Sequence, residues 1–179
     1  MAFHHVALAS RDTEKTHRFY TEVMGFSLVR IEAAPAPDGD GSWAKHFFYD
    51  TGAGMIAFWE LHGDAFAGWK AGLAKSVGLP AWVNHLAFDA PDLDALDRQR
   101  QRWQEHGITV AELDHGWCRS IYCTDPNGIL VEFCTTTREF TDADKAEAEA
   151  LLFDPAPPLK DPPAPVIHPA TGATASAPA

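Results

Sequence analysis

Two stretches of the chain repeat one pattern of apolar and polar positions. FHHVAL (3–8) and VNHLAF (83–88) both read as strands, with His5 and His85 at the same place. An Asp follows each His at the same distance, Asp12 in the first copy and Asp92 in the second. Asp is a favoured helix N-cap, so the apolar spacing that follows predicts one helix to about Met24 and a second to about Gly107.

Three strand-like segments follow each predicted helix. They are 27–31, 46–49 and 55–60 in the first copy, and 110–113, 119–123 and 129–135 in the second. Each copy is therefore a predicted βαβββ unit. Aligning the copies at their last hairpins pairs Tyr49 with Tyr122 and Phe58 with Phe133, with a longer turn, Asp-Pro-Asn-Gly, in the second copy. We expect an α+β fold in which paired βαβββ modules form a curved mixed sheet around one cavity.

The pattern divides the chain into five parts. The predicted modules are 1–62 and 83–137, joined by a linker with a short helix at 63–82. A capping-box pattern at Thr141 and Asp144 opens a predicted C-terminal helix within 138–153. The Pro/Ala-rich tail, 154–179, is expected to be extended or disordered without strand ladders, with a solvated His168.

Composition limits the partners of the protein. The 179 residues carry a net charge of -11, and no block of Lys and Arg provides a surface for nucleic acid or an anionic membrane. No apolar stretch is long enough to cross a bilayer, and the first residues lack the pattern of a signal peptide. We expect a cytoplasmic protein with a small-molecule partner and reduced cysteines. The open sheet edges favour a homodimer.

The last predicted strand contains a carboxylate, Glu132, where an aliphatic residue would be normal. An unpaired buried carboxylate costs several kcal/mol, so Glu132 needs a partner. His5 and His85 are in register on the first strands of the two copies, and two imidazoles with one carboxylate suit a divalent transition metal. A lone His on a strand is more often a satisfied structural residue; the register of these two favours a metal site of His5, His85 and Glu132.

The blocks HHVALASRD, FYTEVMGF, NHLAFDAPD and DPNGILVEF resemble the vicinal oxygen chelate superfamily over about residues 1–137. That superfamily includes glyoxalase I, type I extradiol dioxygenases, and fosfomycin or bleomycin resistance proteins. The resemblance implies a metal in the cavity held by His5, His85 and Glu132. Glyoxalase-like members add a fourth ligand from the last strand of the first module, where this chain has Ala57. Glu60 is near but on the opposite strand face by alternation.

The stretch HGWCRSIYCTDPNGILVE resembles the signature of extradiol dioxygenases. This resemblance implies that His115 and Tyr122 hydrogen-bond the substrate and oxygen at the metal. The expected function is a ring-cleaving dioxygenase that uses O₂ and Fe(II) on a small aromatic substrate with ortho or ring oxygens. Mn(II), Zn(II) and Ni(II) are alternative metals. Such enzymes carry an acid-base His shortly before the second metal ligand, and this chain has none there. The nearest is His62, and His46, on a strand of the first module, is the other candidate for this role.

Two other functions remain open at this point. A metal-dependent lyase or isomerase of glyoxalase type would need a further carboxylate, and Glu60 in the cavity would favour it. A resistance protein that sequesters its ligand without turnover would need no metal, and members of this kind form their sites across a dimer.

Overall fold

The structure is a computed structural model and describes residues 3–37 and 41–172. The chain folds as two compact units. The first consists of Met1–Phe88 with Cys123–Val131, and the second of Asp89–Tyr122 with Glu132–Ala179. Residues 173–179 of the predicted tail lie outside the described residues.

The first unit contains a four-stranded sheet and one helix. Its strands are β1 (His5–Ser10), β2 (Ser27–Pro35), β3 (Trp43–Asp50) and β4 (Met55–His62), in the order β1-β4-β3-β2. Strand β1 is parallel to β4, and the other pairs are antiparallel. Helix α1 (Thr13–Arg18) begins at Asp12, whose side chain accepts the N–H of Lys15, and continues as a π-helical turn, Phe19–Val23. The N-cap and the length predicted for this helix are confirmed.

The two faces of this first sheet have different environments. Tyr20 from the helical segment packs on Phe58 and Tyr49, with ring centroids 4.7 and 5.9 Å apart, and all three are completely buried. This helix-covered face is the core of the first unit. The opposite face carries His5, together with Ala57, because Ala7 lies opposite Ala57 in the β1–β4 ladder and side chains alternate along a strand.

A buried polar cluster fixes the Asp-Pro-Asn-Gly turn against α1. The carboxylate of Asp125 accepts the backbone N–H groups of Asn127 and Ile129 at 2.9 and 2.8 Å and the hydroxyl of Tyr20 at 3.1 Å. The side-chain amide of Asn127 donates to Thr16 Oγ1 at 3.1 Å. The turn is therefore held by its own backbone and by the helix.

The second sheet has the strand order β5-β8-β7-β6-β9. Its strands are β5 (His85–Asp89), β6 (Val110–Asp114), β7 (Cys118–Thr124), β8 (Leu130–Thr136) and β9 (Val166–His168), and the helices that follow β5 and β8 are α2 (Leu93–Glu105) and α3 (Asp142–Leu152). Helix α2 begins at Asp92, whose side chain accepts the N–H of Ala95, and its Trp103 packs on Phe133 at 5.8 Å. The predicted α+β fold with a repeated βαβββ unit is confirmed. The capping box at Thr141 is also present, and the linker forms two short 3-10 turns, Asp64–Phe66 and Lys75–Val77.

The expectation for the tail was wrong in one segment. Val166–His168 forms β9 antiparallel to β6, and His168 is only partly exposed, with its Nε2 2.8 Å from Glu112 Oε2. The segment has three residues without proline, and within the described part of the chain β9 is the only strand paired with the edge of β6 that faces away from β7.

The alignment of Tyr49 with Tyr122 was also wrong. Tyr49 lies on the helix-covered face of its sheet, where its hydroxyl is 3.1 Å from His17 Nδ1 of α1. Tyr122 lies opposite Ala111, whereas the preceding residue, Ile121, lies opposite Glu112. Glu112 is on the helix-covered face, because its carboxylate is 3.9 Å from Arg100 Nε of α2. Tyr122 therefore faces away from the helix, and the two tyrosines are not equivalent.

Over the residues that the structure describes, no helix combines the length and the apolar run needed to span a bilayer.

Candidate active site

Three of the predicted site residues form one hydrogen-bonded group in the second unit. Glu132 lies on β8 and is only 5% exposed. The hydroxyl of Tyr122 on β7 is hydrogen-bonded to Glu132, and His115, in the loop after β6, places its Nε2 3.0 Å from the same hydroxyl. A consistent arrangement is that the phenol donates to the carboxylate while the His115 ring N–H donates to the phenol oxygen.

The phenol of Tyr122 is held in its neutral form. Burial raises the pKa of Tyr122 to about 12, and the charge of Glu132 acts in the same direction, while a hydrogen bond with Ser120 opposes it. Tyr122 is therefore a proton donor at physiological pH, placed beside a carboxylate and an imidazole.

Strand alternation explains how these groups share one face. Tyr122 lies opposite Ala111 and Ser120 lies opposite Leu113 in the β6–β7 ladder, so the side chains of Tyr122 and Ser120 point to the same side. Ser120 was not among the predicted site residues, although it lies two residues before Tyr122 and so shares its strand face. Cys118 is on this side as well, with Sγ 3.7 Å from Ser120 Oγ.

The thiols near Glu132 are weak acids. Burial, followed by the charge of Glu132, raises the pKa of Cys134 to about 11, and burial also raises the pKa of Cys118. The three cysteines of the chain are free thiols. Cys118 and Cys134 are therefore protonated thiols at neutral pH and not thiolate nucleophiles.

In the first unit, His5 lies on the face of the sheet that α1 does not cover. Its ring contacts Phe48 with centroids 5.6 Å apart and His46 at 6.3 Å, and its Nδ1 is 2.8 Å from Nδ1 of His4. Ala57 shares this face, since it lies opposite Phe48 in the β3–β4 ladder. The position of the fourth ligand in glyoxalase-like members is thus a methyl group on the His5 face.

Glu60 lies on the opposite, helix-covered face. Its carboxylate accepts Thr13 Oγ1 of α1 at 2.7 Å and Lys45 Nζ at 3.0 Å, and lies 2.7 Å from His62 Nε2. Although burial acts to raise the pKa of Glu60, these hydrogen bonds hold it below its ordinary value. Glu60 is therefore an ionised carboxylate with three partners, and it does not share a face with His5.

His46 joins His5 on the uncovered face. It is 8% exposed, its ring stacks on Trp59 with centroids 3.7 Å apart, and its Nε2 is buried without a hydrogen-bond partner. Burial, and then the charge of His5, lower the pKa of His46. The side chain is therefore a neutral imidazole in an aromatic setting.

His85 is at the beginning of β5. Its Nδ1 donates to the backbone oxygen of Trp82 at 3.0 Å. This hydrogen bond selects the tautomer whose lone pair is on Nε2, which is the usual orientation of a histidine that ligates a metal.

Among residues 3–37 and 41–172, no group of three or more His, Cys, Asp or Glu side chains is close enough to hold a metal ion. The structure brings together His115, Tyr122 and Glu132. Assembly of His5, His85 and Glu132 around a metal remains a prediction. Their chemistry fits a metal all the same, because His85 has the tautomer of a ligand and Glu132 is a buried carboxylate on an otherwise apolar strand.

Comparison with known proteins identifies the family. The family model described as the glyoxalase/bleomycin resistance protein/dioxygenase superfamily matches residues 2–133. No curated protein gives a significant match. A glyoxylase/bleomycin resistance protein/dioxygenase domain from Frankia sp. EAN1pec is similar in structure, with a TM-score of 0.58 and 21% identity over 76% of this chain and 98% of that chain.

Two further solved structures share the fold. One is a fosfomycin resistance protein from Listeria monocytogenes, with a TM-score of 0.53 and 21% identity over 76% of this chain and 94% of that chain. The other is an antibiotic binding protein from a Streptomyces species, with a TM-score of 0.50 and 19% identity over 76% of this chain and 97% of that chain. Because the family model matches most of this chain, residues 2–133, the chain belongs to the glyoxalase/bleomycin resistance protein/dioxygenase superfamily.

Proposed function

We propose that this protein is a metal-dependent dioxygenase that uses Fe(II) and O₂ on a small aromatic substrate with ortho or ring oxygens. His5, His85 and Glu132 would be the metal ligands, and His115 and Tyr122 the groups that handle protons at the substrate. The observation that carries the proposal is the hydrogen-bonded group of His115, Tyr122 and Glu132.

Tyr122 has the properties of a donor to a developing oxygen anion. Its pKa, raised to about 12, keeps the phenol protonated across the physiological range. A phenol held in place before the reaction needs no reorganisation to stabilise a charge that forms next to it. His115 Nε2, 3.0 Å away, can return a proton to the phenol or remove one from it.

The number of ligands favours a dioxygenase over a glyoxalase-type enzyme. Ala57 supplies no ligand on the His5 face, and Glu60 is held on the other face by Thr13 and Lys45. Three ligands would leave coordination positions for a substrate that chelates with two oxygens and for O₂. Ala57, at the position where glyoxalase-like members carry the fourth ligand, offers no carboxylate to a lyase or isomerase.

A bound divalent metal would supply Lewis acidity and, as Fe(II), electron transfer between substrate and O₂. The protein residues perform the remaining tasks. Glu132 orients the phenol of Tyr122, since it accepts its hydrogen bond. When substrate binds, the single O–H of Tyr122 turns from Glu132 to the substrate oxygen that gains charge, and His115 Nε2 returns a proton to Tyr122 Oη.

The test is metal loading followed by oxygen uptake. Protein purified without chelator is analysed for metal, reloaded with Fe(II) under anaerobic conditions, and mixed with a panel of catechols and hydroquinones in an oxygen electrode. Substrate-dependent uptake that is lost in His5→Ala and Glu132→Ala, and kept in the control His106→Ala, supports the proposal. His106 is a suitable control because it caps α2 on the surface. Tight zinc or nickel binding without uptake would instead support a lyase or isomerase, and ligand binding without any metal a sequestering protein.

We also propose a homodimer. Strand β2 is one of the two edge strands of the first sheet and is exposed along its whole length, with Leu28, Val29 and Ile31 at 38%, 53% and 57% exposure. An exposed apolar edge strand is normally covered by a partner. Sedimentation equilibrium of the wild type and of Val29→Lys tests this: the wild type is expected to be dimeric and the variant shifted toward monomer.

A further inference from the structure

The strand formed by the tail extends the face of the second sheet that carries the proposed catalytic tyrosine. Ile167 lies opposite Ala111 in the β6–β9 ladder, and Ala111 lies opposite Tyr122 in the β6–β7 ladder. Residues opposite each other point to the same side of a sheet. Ile167 is therefore an apolar side chain on the Tyr122 face, separated from Tyr122 only by the small side chain of Ala111, and it is 56% exposed.

Contacts with β6 and with the C-terminal end of α2 hold this strand in place. His168 Nε2 lies 2.8 Å from Glu112 Oε2. Gln104 Nε2 donates to the backbone oxygen of Pro169 at 2.8 Å, and the backbone oxygen of Gln104 accepts the N–H groups of Thr171 and Gly172 at 3.0 and 2.9 Å. The tail is thus bound to β6 and to the C-terminal end of α2.

Gly172 is essential for this position of the tail. A Cβ atom at this position would lie 1.7 Å from the backbone oxygen of Glu105, and backbone atoms cannot move aside as a flexible side chain can. Only glycine lets the tail approach the end of α2 so closely.

The direction of β9 leads the tail toward the catalytic loop. Because β9 is antiparallel to β6, with Val166 opposite Glu112, the residues before Val166 run toward the end of β6. His115 follows that end, and its Nε2 is 3.0 Å from Tyr122 Oη.

From these contacts we propose that β9 forms one wall of the substrate surface and that Ile167 is a specificity-determining residue, which contacts the side of the aromatic ring away from its oxygens. This inference rests on the proposed function, since the ring is that of the proposed substrate. The tail selects substrates by the size and polarity of their ring substituents, while Tyr122 and His115 act on the oxygens.

The experiment compares Ile167→Ala with Val166→Ala in the full-length protein. Val166 is a matched control, because it is 57% exposed on the same short strand but lies opposite Glu112, on the other face. The probe is 4-nitrocatechol, whose visible absorbance reports binding to Mn(II)-loaded protein without turnover. Ile167→Ala is expected to weaken binding about fivefold, because a partly buried contact of three carbons is lost, and Val166→Ala to leave it within about twofold.

Gly172→Val provides an independent arm. Hydrogen–deuterium exchange is expected to show protected amides in Val166–His168 of the wild type and faster exchange in Gly172→Val. Once the tail is released, Ile167→Ala should add no further loss of binding, so the two changes should be non-additive.

Three results would overturn the inference, and they distinguish failure of the inference alone from failure of the proposed function. Binding of 4-nitrocatechol that responds equally to the Ile167 and Val166 changes, or rapid exchange of β9 in the wild type, removes the role of the tail and leaves the proposed function intact. Failure of the metal-loaded wild type to bind 4-nitrocatechol removes both.

Discussion

Replacing Glu132 with Gln separates the metal-binding role of this residue from its structural role. Glu132 is 5% exposed on an apolar strand and accepts a hydrogen bond from Tyr122. An amide oxygen can accept the same hydrogen bond without the cost of burying a charge. We therefore expect metal-free Glu132→Gln to unfold within about 1 kcal/mol of the metal-free wild type, or to be more stable.

Metal should reverse this ranking. A ligand at 100 times its Kd stabilises the folded state by about 2.7 kcal/mol. For a chain of this length, each kcal/mol corresponds to a shift in Tm of about 2 to 4 °C. Mn(II), which is stable in air, should therefore raise the Tm of the wild type by about 5 to 10 °C and that of Glu132→Gln by about 1 °C or less, because an amide is a poor substitute for a carboxylate ligand.

The assay is thermal unfolding followed by circular dichroism, with and without Mn(II), after removal of metal with EDTA. Glu60→Gln is the matched control, since Glu60 is also a strand carboxylate but faces Thr13 of α1. It should keep the full shift in Tm. Equal shifts in the wild type and Glu132→Gln would refute Glu132 as a ligand, and loss of the shift in Glu60→Gln would show that Glu60 binds the metal.

The remaining predictions concern ionisation and the polar cluster at the turn. Burial raises the pKa of Tyr20 and Tyr49 above the ordinary value of 10.0, and that of Tyr122 to about 12, so the unfolded chain loses phenol protons first. The contribution of these three phenols to stability is thus unchanged below about pH 10 and falls as the pH rises further; tyrosinate absorbance that instead appears near pH 10 in the folded protein would contradict this. Asp125→Ala removes four buried hydrogen bonds and should lower the free energy of unfolding by about 2 to 4 kcal/mol in urea titrations. Asp114→Ala, at an exposed turn, should change it little, and equal effects of the two substitutions would be the contrary result.

Local signals in the sequence predicted the helices well. Asp12, Asp92 and Thr141 all act as N-caps in the structure, because a cap depends on residues within one turn of it. Glu60 was also placed correctly on the other strand face by alternation alone.

Features that depend on distant partners were harder to predict. Pairing of Val166–His168 requires an open edge on β6, which lies far away in the sequence. Tyr49 and Tyr122 were aligned because both are tyrosines. The turns that follow them differ in length, so the two side chains lie on different faces of their sheets. The group of His115, Tyr122 and Glu132 could be predicted from strand alternation and from the resemblance to the family signature. The geometry of a metal site could not, because it depends on a bound ion as well as on the chain.

Oxygen-isotope labelling tests the central claim most directly. Fe(II)-loaded protein is supplied with its best catechol or hydroquinone under ¹⁸O₂, and the product is analysed by mass spectrometry, with Tyr122→Phe in parallel. A dioxygenase predicts a ring-cleaved product that contains both ¹⁸O atoms, and a rate reduced by about 10² to 10³ in Tyr122→Phe, as for removal of one preorganised donor. A product without ¹⁸O, or an unchanged rate in Tyr122→Phe, would contradict the account.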